Sequence, residues 1–203
     1  MNKGIFITIE GLDGAGKSLQ ANLLAKKLLE IGFPVTLTRE PGGTQVAEKI
    51  REVILNQRIS SKVEALLFLA ARISHLEEVI KPAFEKRRIV ISSRYIDSSI
   101  AYQGFGLGLG GEEILSLNER YTSAFWPQLT LYIKIGLEVS MKRRGKDRIE
   151  RRPDSYYTRV EEGYNWLIRK FPERIKVIDG ERPIEEVHLS IFRVALDYIN
   201  RMI

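Results

Sequence analysis

Residues 3–18 read KGIFITIEGLDGAGKS. The apolar, β-branched run up to Gly11 predicts a buried strand. Gly11, Gly16, Lys17 and Ser18 then fit the pattern G-x-x-x-x-G-K-[ST], and the next stretch, KSLQANLLAKKLLEIG, has leucines at helical spacing and stops at Gly32. Strand, glycine turn and helix in this order make a cradle for phosphate. Glycines let backbone N–H groups converge on phosphate oxygens, and the helix N-terminus adds its partial positive charge. In such a loop Lys17 reaches the terminal phosphates and the Ser18 hydroxyl ligates Mg2+. The pattern alone leaves open which phosphate is bound and what happens to it.

The rest of the chain repeats the alternation. FPVTLTRE, RRIVISS, QLTLYIKI and RIKVIDG read as further strands. TQVAEKIREVILNQ reads as a helix with Thr44 as its N-cap. A long helix is expected from about Lys62 to Lys81, with Pro82 near its end. A helical segment follows Arg94, then a glycine-rich loop from Gly104 to Gly111. Later helices are expected over Leu137–Arg144 and Ser155–Lys170, and from Pro183 to Met202. Short apolar strands alternating with helices imply one α/β domain, 1–203, with a five-stranded parallel sheet between two helical layers. Ligands of such sheets sit at the C-terminal ends of the strands. The GLGLGG cluster from Gly106 formally matches G-x-G-x-x-G, but it follows no apolar strand and reads as a flexible loop.

Composition narrows the class. The 203 residues include no cysteine, so no disulfide or thiolate chemistry is available. The longest apolar run, Ala65–Ala71, is far short of the roughly 20 residues a membrane span needs. Glu10 interrupts the apolar stretch Ile5–Ile9, so no signal-peptide layout is read and a cytoplasmic location is expected. The net charge of +6 is concentrated: KRRGKDRIERR, residues 142–152, holds seven basic and two acidic side chains, and the remainder is near neutral. A nucleic-acid binder shows a broad basic face. A single basic segment suits a local polyanion instead, or a solvated charged loop.

Several residues near strand ends carry possible chemistry. Asp13 stabilises the turn or accepts a hydroxyl from a second ligand. Arg39 and Arg94 follow the second and third strands and make a fork for another phosphate, or are two separate surface arginines. Phe68 and Arg72 share a face of an otherwise apolar helix. They offer a stacking and hydrogen-bonding seat for a planar base, or a core aromatic beside a snorkelling arginine.

The motifs IEGLDGAGKS, TREPGGT, LLFLAAR, RYIDSSIAYQG and DRIE occur in this order over essentially the whole chain. The chain resembles a bacterial thymidylate kinase, of the P-loop nucleoside monophosphate kinases. The resemblance implies transfer of a phosphoryl group from ATP to dTMP with Mg2+, in a homodimer. It implies that Gly11, Gly14, Ala15, Gly16, Lys17, Ser18 and Leu19 hold the ATP phosphates, with Ser18 on the metal. Asp13 would hold the 3′-hydroxyl, and Arg39 and Arg94 the acceptor phosphate. Phe68 would stack on thymine, Arg72 would bond its O4, and Ser99 and Gln103 would complete the pocket. Tyr102 would fill the space of a ribose 2′-hydroxyl.

The basic segment, about 142–155, resembles the family's mobile lid. The phosphate loop has Gly14 and no arginine, so the lid must supply the transfer charge. Arg143, Arg148 and Arg152 are candidates, and Arg148 in DRIE is favoured, giving Lys17, Arg94 and Arg148 as the catalytic set. Arg144 would lie against adenine with Asp179 on its other side. The nucleophile is a phosphate oxygen, already anionic at pH 7, so no general base is required. His75 and His188, both on expected helices away from strand ends, are assigned structural or surface roles. One departure stands out: the family's usual Asp-Arg-Tyr is Ser93-Arg94-Tyr95 here. Weaker Mg2+ anchoring is expected, with help from Glu10 or Asp97. Kinases of other acceptors, a nucleotide switch and a catalytically inactive binding module are the competing readings. A switch predicts an acid at the end of RRIVISS or an N-K-x-D motif, and neither occurs.

Overall fold

The computed structural model describes residues 4–123, 125–145 and 147–202. Lys3 of the expected first strand, Lys146 of the expected lid and the ends of the expected domain lie outside the described residues. The five strands are β1 (Ile5–Gly11), β2 (Val35–Arg39), β3 (Ile89–Ser93), β4 (Leu129–Lys134) and β5 (Ile175–Asp179). They form one all-parallel sheet in the order β2-β3-β1-β4-β5. β1 is central and buried at every position, as its continuous apolar run requires. The strand order reverses at β1, so right-handed crossovers place helices on opposite faces. α1 (Lys17–Glu30) packs beside α9 (Ile184–Met202); α5 (Ile96–Ser99) and α8 (Asp154–Lys170) form the other layer with a π-helical run, Ile100–Gly106.

α2 (Gln45–Asn56) begins as expected, with Thr44 Oγ1 accepting from the Ala47 N–H. The long helix is segmented. α3 (Ser61–His75) passes through a π-helical stretch, Leu76–Ile80, into α4 (Lys81–Glu85). Pro82 therefore sits in the first turn of α4, where a missing N–H is tolerated, rather than ending the helix.

The glycine-rich loop is shorter than expected. Gly104 and Gly106 lie inside the π-helical run, and α6 (Gly111–Tyr121), which was not expected, starts at Gly111. These glycines serve close packing: a Cβ at Gly106 would lie 2.6 Å from the Tyr156 ring. α7 (Leu137–Arg143) precedes the basic segment. No helix among the described residues is long and apolar enough to cross a membrane.

Candidate active site

A cleft of about 350 Å³ opens at the C-terminal ends of β1, β2 and β3. The phosphate loop forms its floor. Gly14 and Gly16 adopt φ of 79° and 83°, a region that costs other residues strain. Gly14 is also needed for space: a Cβ there would lie 2.7 Å from Arg143 Cβ. The C-terminal end of α7 thus rests on the loop. Lys17 is buried, with Nζ donating to the Leu12 carbonyl at 2.7 Å. Burial, then the charge of Arg94, push its pKa down to about 7. Ser18 Oγ lies 3.4 Å from Ser93 Oγ.

Arg94 follows β3 in the left-handed region, φ 73°, at a cost on the order of 1–3 kcal/mol for a non-glycine residue. Buried bonds hold it there. The Tyr95 N–H and the Ser98 hydroxyl donate to the two Glu10 carboxylate oxygens at 2.7 and 2.6 Å, and Arg94 Nη1 donates to Ser98 Oγ at 2.9 Å. Arg94 Nη2 pairs with Asp13 and reaches the Tyr102 hydroxyl at 3.3 Å. Tyr157 donates to the other Asp13 oxygen at 3.1 Å. Burial acts to raise the Asp13 pKa, but Arg94 and then Lys17 bring it below its ordinary value.

Glu10 and Asp97 were the expected helpers of the metal, and the structure corrects this. Burial, then the nearby Asp97, raise Glu10 to about 7, and its oxygens are taken by Tyr95, Ser98 and Tyr164. Asp97 is held by Arg174 Nη1 and Nη2 at 2.7 and 2.6 Å. Their contacts do not include Ser18.

Arg39 donates to both Glu48 oxygens, at 2.9 and 3.1 Å, and to the Pro41 carbonyl. Arg51 of α2 donates to the same carbonyl at 3.1 Å and lines the cleft, a functional candidate the sequence reading missed. Burial, then Arg39, lower its pKa. Arg39, Arg51 and Arg94 therefore crowd one end of the cleft, where an anion would relieve their repulsion.

Phe68, Arg72, Ser99, Tyr102 and Gln103 line the same cleft, and Tyr102 joins them to Arg94. Arg72 is not a free base reader. It is 2% exposed and donates to Glu40, Ser99, Asn118 and the Tyr95 carbonyl. His75, expected away from strand ends, bonds Thr38 of β2 at 2.6 Å and Glu40 just beyond it at 3.1 Å, and so ties α3 to the end of β2.

Asp147, Ile149 and Glu150 of the basic segment line the cleft. Arg148 does not face the phosphate loop: it donates to the Ile54 carbonyl at 2.7 Å and to Glu64 at 2.6 Å. Arg144 stacks on Tyr157, 4.4 Å from its ring centre. Asp179 lines a separate depression with Gly136 and Glu181, and pairs with Arg182. Gly11 and Ala15 are buried within the loop and do not line the cleft, whereas Leu19 does.

A phosphate cradle facing a cluster of guanidinium groups across one cleft defines a P-loop phosphotransferase with two substrate ends. The thymidylate kinase family model matches residues 9–191. A thymidylate kinase of Thermoanaerobacter sp. (strain X514) is 43% identical over 97% of this chain and 100% of its own length. One from Symbiobacterium thermophilum is 44% identical over 97% and 95%. The crystal structure of the Ehrlichia chaffeensis thymidylate kinase superposes with a TM-score of 0.80 at 37% identity, covering 95% of this chain and 98% of that one. The chain belongs to the thymidylate kinase family.

Proposed function

We infer that this chain transfers the γ-phosphoryl group of ATP to dTMP, giving dTDP and ADP for dTTP synthesis. The observation that carries this reading is the cleft itself: a P-loop at one wall, Arg39, Arg51 and Arg94 beside it, and an aromatic and amide pocket beyond them. The acceptor phosphate sits among the arginines, within reach of the Lys17 ammonium. The loose transition state of phosphoryl transfer spreads charge over the moving group, and these cations stabilise it without a general base. Phe68 stacks on the base and Gln103 offers it a polar edge. Arg72 reads the base only by exchanging one of its present partners. Asp13 receives the sugar 3′-hydroxyl while tied to Arg94, and Tyr102 closes the 2′ side.

Gly11, Gly14, Ala15, Gly16, Lys17, Ser18 and Leu19 receive the ATP phosphates. Among the described residues no cluster of three or more acidic or histidine side chains could hold a metal. Two hydroxyls beside the cradle fit Mg2+, which keeps most of its waters and takes its other ligands from phosphate. Ser18 would hold it, and it would neutralise phosphate charge. Of the candidate lid arginines, Arg143 has its Cβ against Gly14 of the phosphate loop, and we assign it the transfer role expected of Arg148. We place the protein in the cytoplasm as a single-domain homodimer with its lid at about 142–155. Exposed Val46 and Val53 of α2 and Val63 and Leu66 of α3, on adjoining helices, support self-association.

The test is ADP release with Mg·ATP and a panel of dTMP, dUMP, dCMP, ribosyl TMP and thymidine. Turnover restricted mainly to dTMP is expected. Preference for another acceptor would discard the base-pocket assignments, and no acceptor-dependent turnover would discard the kinase.

A further inference from the structure

Glu64 lies in the first turn of α3 and is 1% exposed, yet it is no local helix cap. Its Oε2 accepts from Arg148 and from Arg152, each at 2.6 Å. Its Oε1 accepts from Gln103 Nε2 at 3.3 Å. Glu64, Phe68 and Arg72 are four residues apart in turn, so they share the face of α3 that looks into the acceptor end of the cleft. One buried carboxylate therefore joins the lid to the pocket that seats the base.

The lid needs such a partner. Residues 142–152 carry seven basic side chains, which repel each other and prefer water. The lid's own acids are spent locally: Asp147 accepts from the Ile149 and Glu150 N–H groups, and Glu150 accepts from the Asp147 N–H. Asp154 at the start of α8 pairs with Arg144. Among the described residues, Glu64 is the carboxylate from outside residues 142–155 that binds lid arginines. The grip extends further. Arg148 also holds the Ile54 carbonyl at the end of α2, and Arg152 donates to the Tyr156 hydroxyl, which donates to the Tyr102 carbonyl.

We propose that Glu64 is a positioning residue that holds the lid over the cleft through Arg148 and Arg152, and that Gln103 ties this closure to the base end of the acceptor site. The proposal rests on the dTMP kinase reading only for its kinetic consequence. It makes closure depend on the acceptor side of the cleft, so that ATP is enclosed over the acceptor rather than over water.

Two readouts test it on the full-length chain. Trypsin cuts after lysine and arginine, so the lid reports its own opening. Glu64→Gln keeps the size of the side chain and removes its charge. We expect cleavage within 142–152 to rise at least tenfold, with cleavage elsewhere unchanged. We expect kcat to fall about tenfold with the KM for dTMP within threefold, a split that general destabilisation would not produce. Arg148→Gln/Arg152→Gln should reproduce both effects, scored by cleavage at Arg143 and Arg144, and combining it with Glu64→Gln should add little. Wild-type lid cleavage with unchanged kcat in Glu64→Gln overturns the proposal. If Glu64→Gln does not fold, as judged by its thermal melt, the lid double variant decides by the same readouts. Lid cleavage needs no turnover, so an inactive wild type would overturn the kinase reading and leave the latch to be judged separately.

Discussion

The Ser93 hydroxyl lies 3.4 Å from that of Ser18, so the end of β3 meets the phosphate loop where a P-loop serine holds its metal. A serine there can hydrogen-bond a metal-bound water but carries no charge. Ser93→Asp is expected to lower the Mg2+ concentration giving half-maximal turnover by roughly tenfold, the lower end of outer-shell effects on metal affinity. A magnesium titration of ADP release checks it. An unchanged midpoint would remove Ser93 from the metal's surroundings.

Lys17 should make nucleotide binding pH-dependent. Its pKa of about 7 in the unliganded protein comes from burial and from Arg94. Phosphate oxygens favour the ammonium and raise that value, so binding above pH 7 takes up a proton. Affinity for Mg·ADP is therefore expected to fall by up to about tenfold per pH unit between 7.5 and 8.5. Calorimetry at constant ionic strength measures it, with Lys17→Met flattening the slope. The stability sign follows from the same shift. A lysine with its folded pKa below its unfolded one costs stability in full below about pH 7, and that cost fades as pH climbs toward 10.5.

Arg51 is expected to hold the acceptor phosphate. A charge-assisted hydrogen bond is worth about 1.5–3 kcal/mol, so Arg51→Met should raise the KM for dTMP by roughly 10- to 100-fold. The KM for ATP should stay within twofold. Equal losses for both substrates would place Arg51 in lid or loop support instead.

The strands, the phosphate loop and most cleft residues were legible because they are local: an apolar run, a glycine spacing, an arginine at a strand end. What escaped depends on tertiary placement. AEKIREVIL reads as an amphipathic helix with Arg51 in water, but Arg51 is four residues from buried Ala47 and faces the turn after β2. An arginine on that stripe was the available signal. Glu64 reads as an acid complementing a helix N-terminus, and only the packing of the lid makes it a buried anion. α6 escaped because its first residue is one of a run of glycines, although Glu112 and Glu113 mark its first turn. Arg72 was visible as an anomaly in an apolar helix, while its protein partners came from 23 to 46 residues away in sequence.

That same burial makes Arg72 a stability residue. Arg72→Leu leaves the Glu40 carboxylate, itself 6% exposed, with His75 as its remaining partner, and leaves Ser99 and Asn118 without their donor. Breaking a buried pair from one side costs about 3–5 kcal/mol. A loss of roughly 10 °C in melting temperature is expected for a chain of this size. Arg72→Leu/Glu40→Leu should lose less than the two single variants added together, which a thermal double-variant cycle would show.

The transfer arginine can be assigned by comparing two lid positions. Arg143 ends α7 directly against Gly14, whereas the Arg148 guanidinium is bound to Glu64 and the Ile54 carbonyl. An arginine that meets the moving phosphoryl group contributes on the order of 10³-fold or more to kcat. Arg143→Met is therefore expected to lower kcat by about that factor with little change in the KM for dTMP. Arg148→Met should lose only about tenfold, through weaker closure of the lid. Single-turnover kinetics with saturating Mg·ATP separate the chemical step from product release. The reverse ranking would mean that Arg148 leaves Glu64 before transfer and turns toward the phosphates, and Arg143 would then be reassigned to packing on the loop.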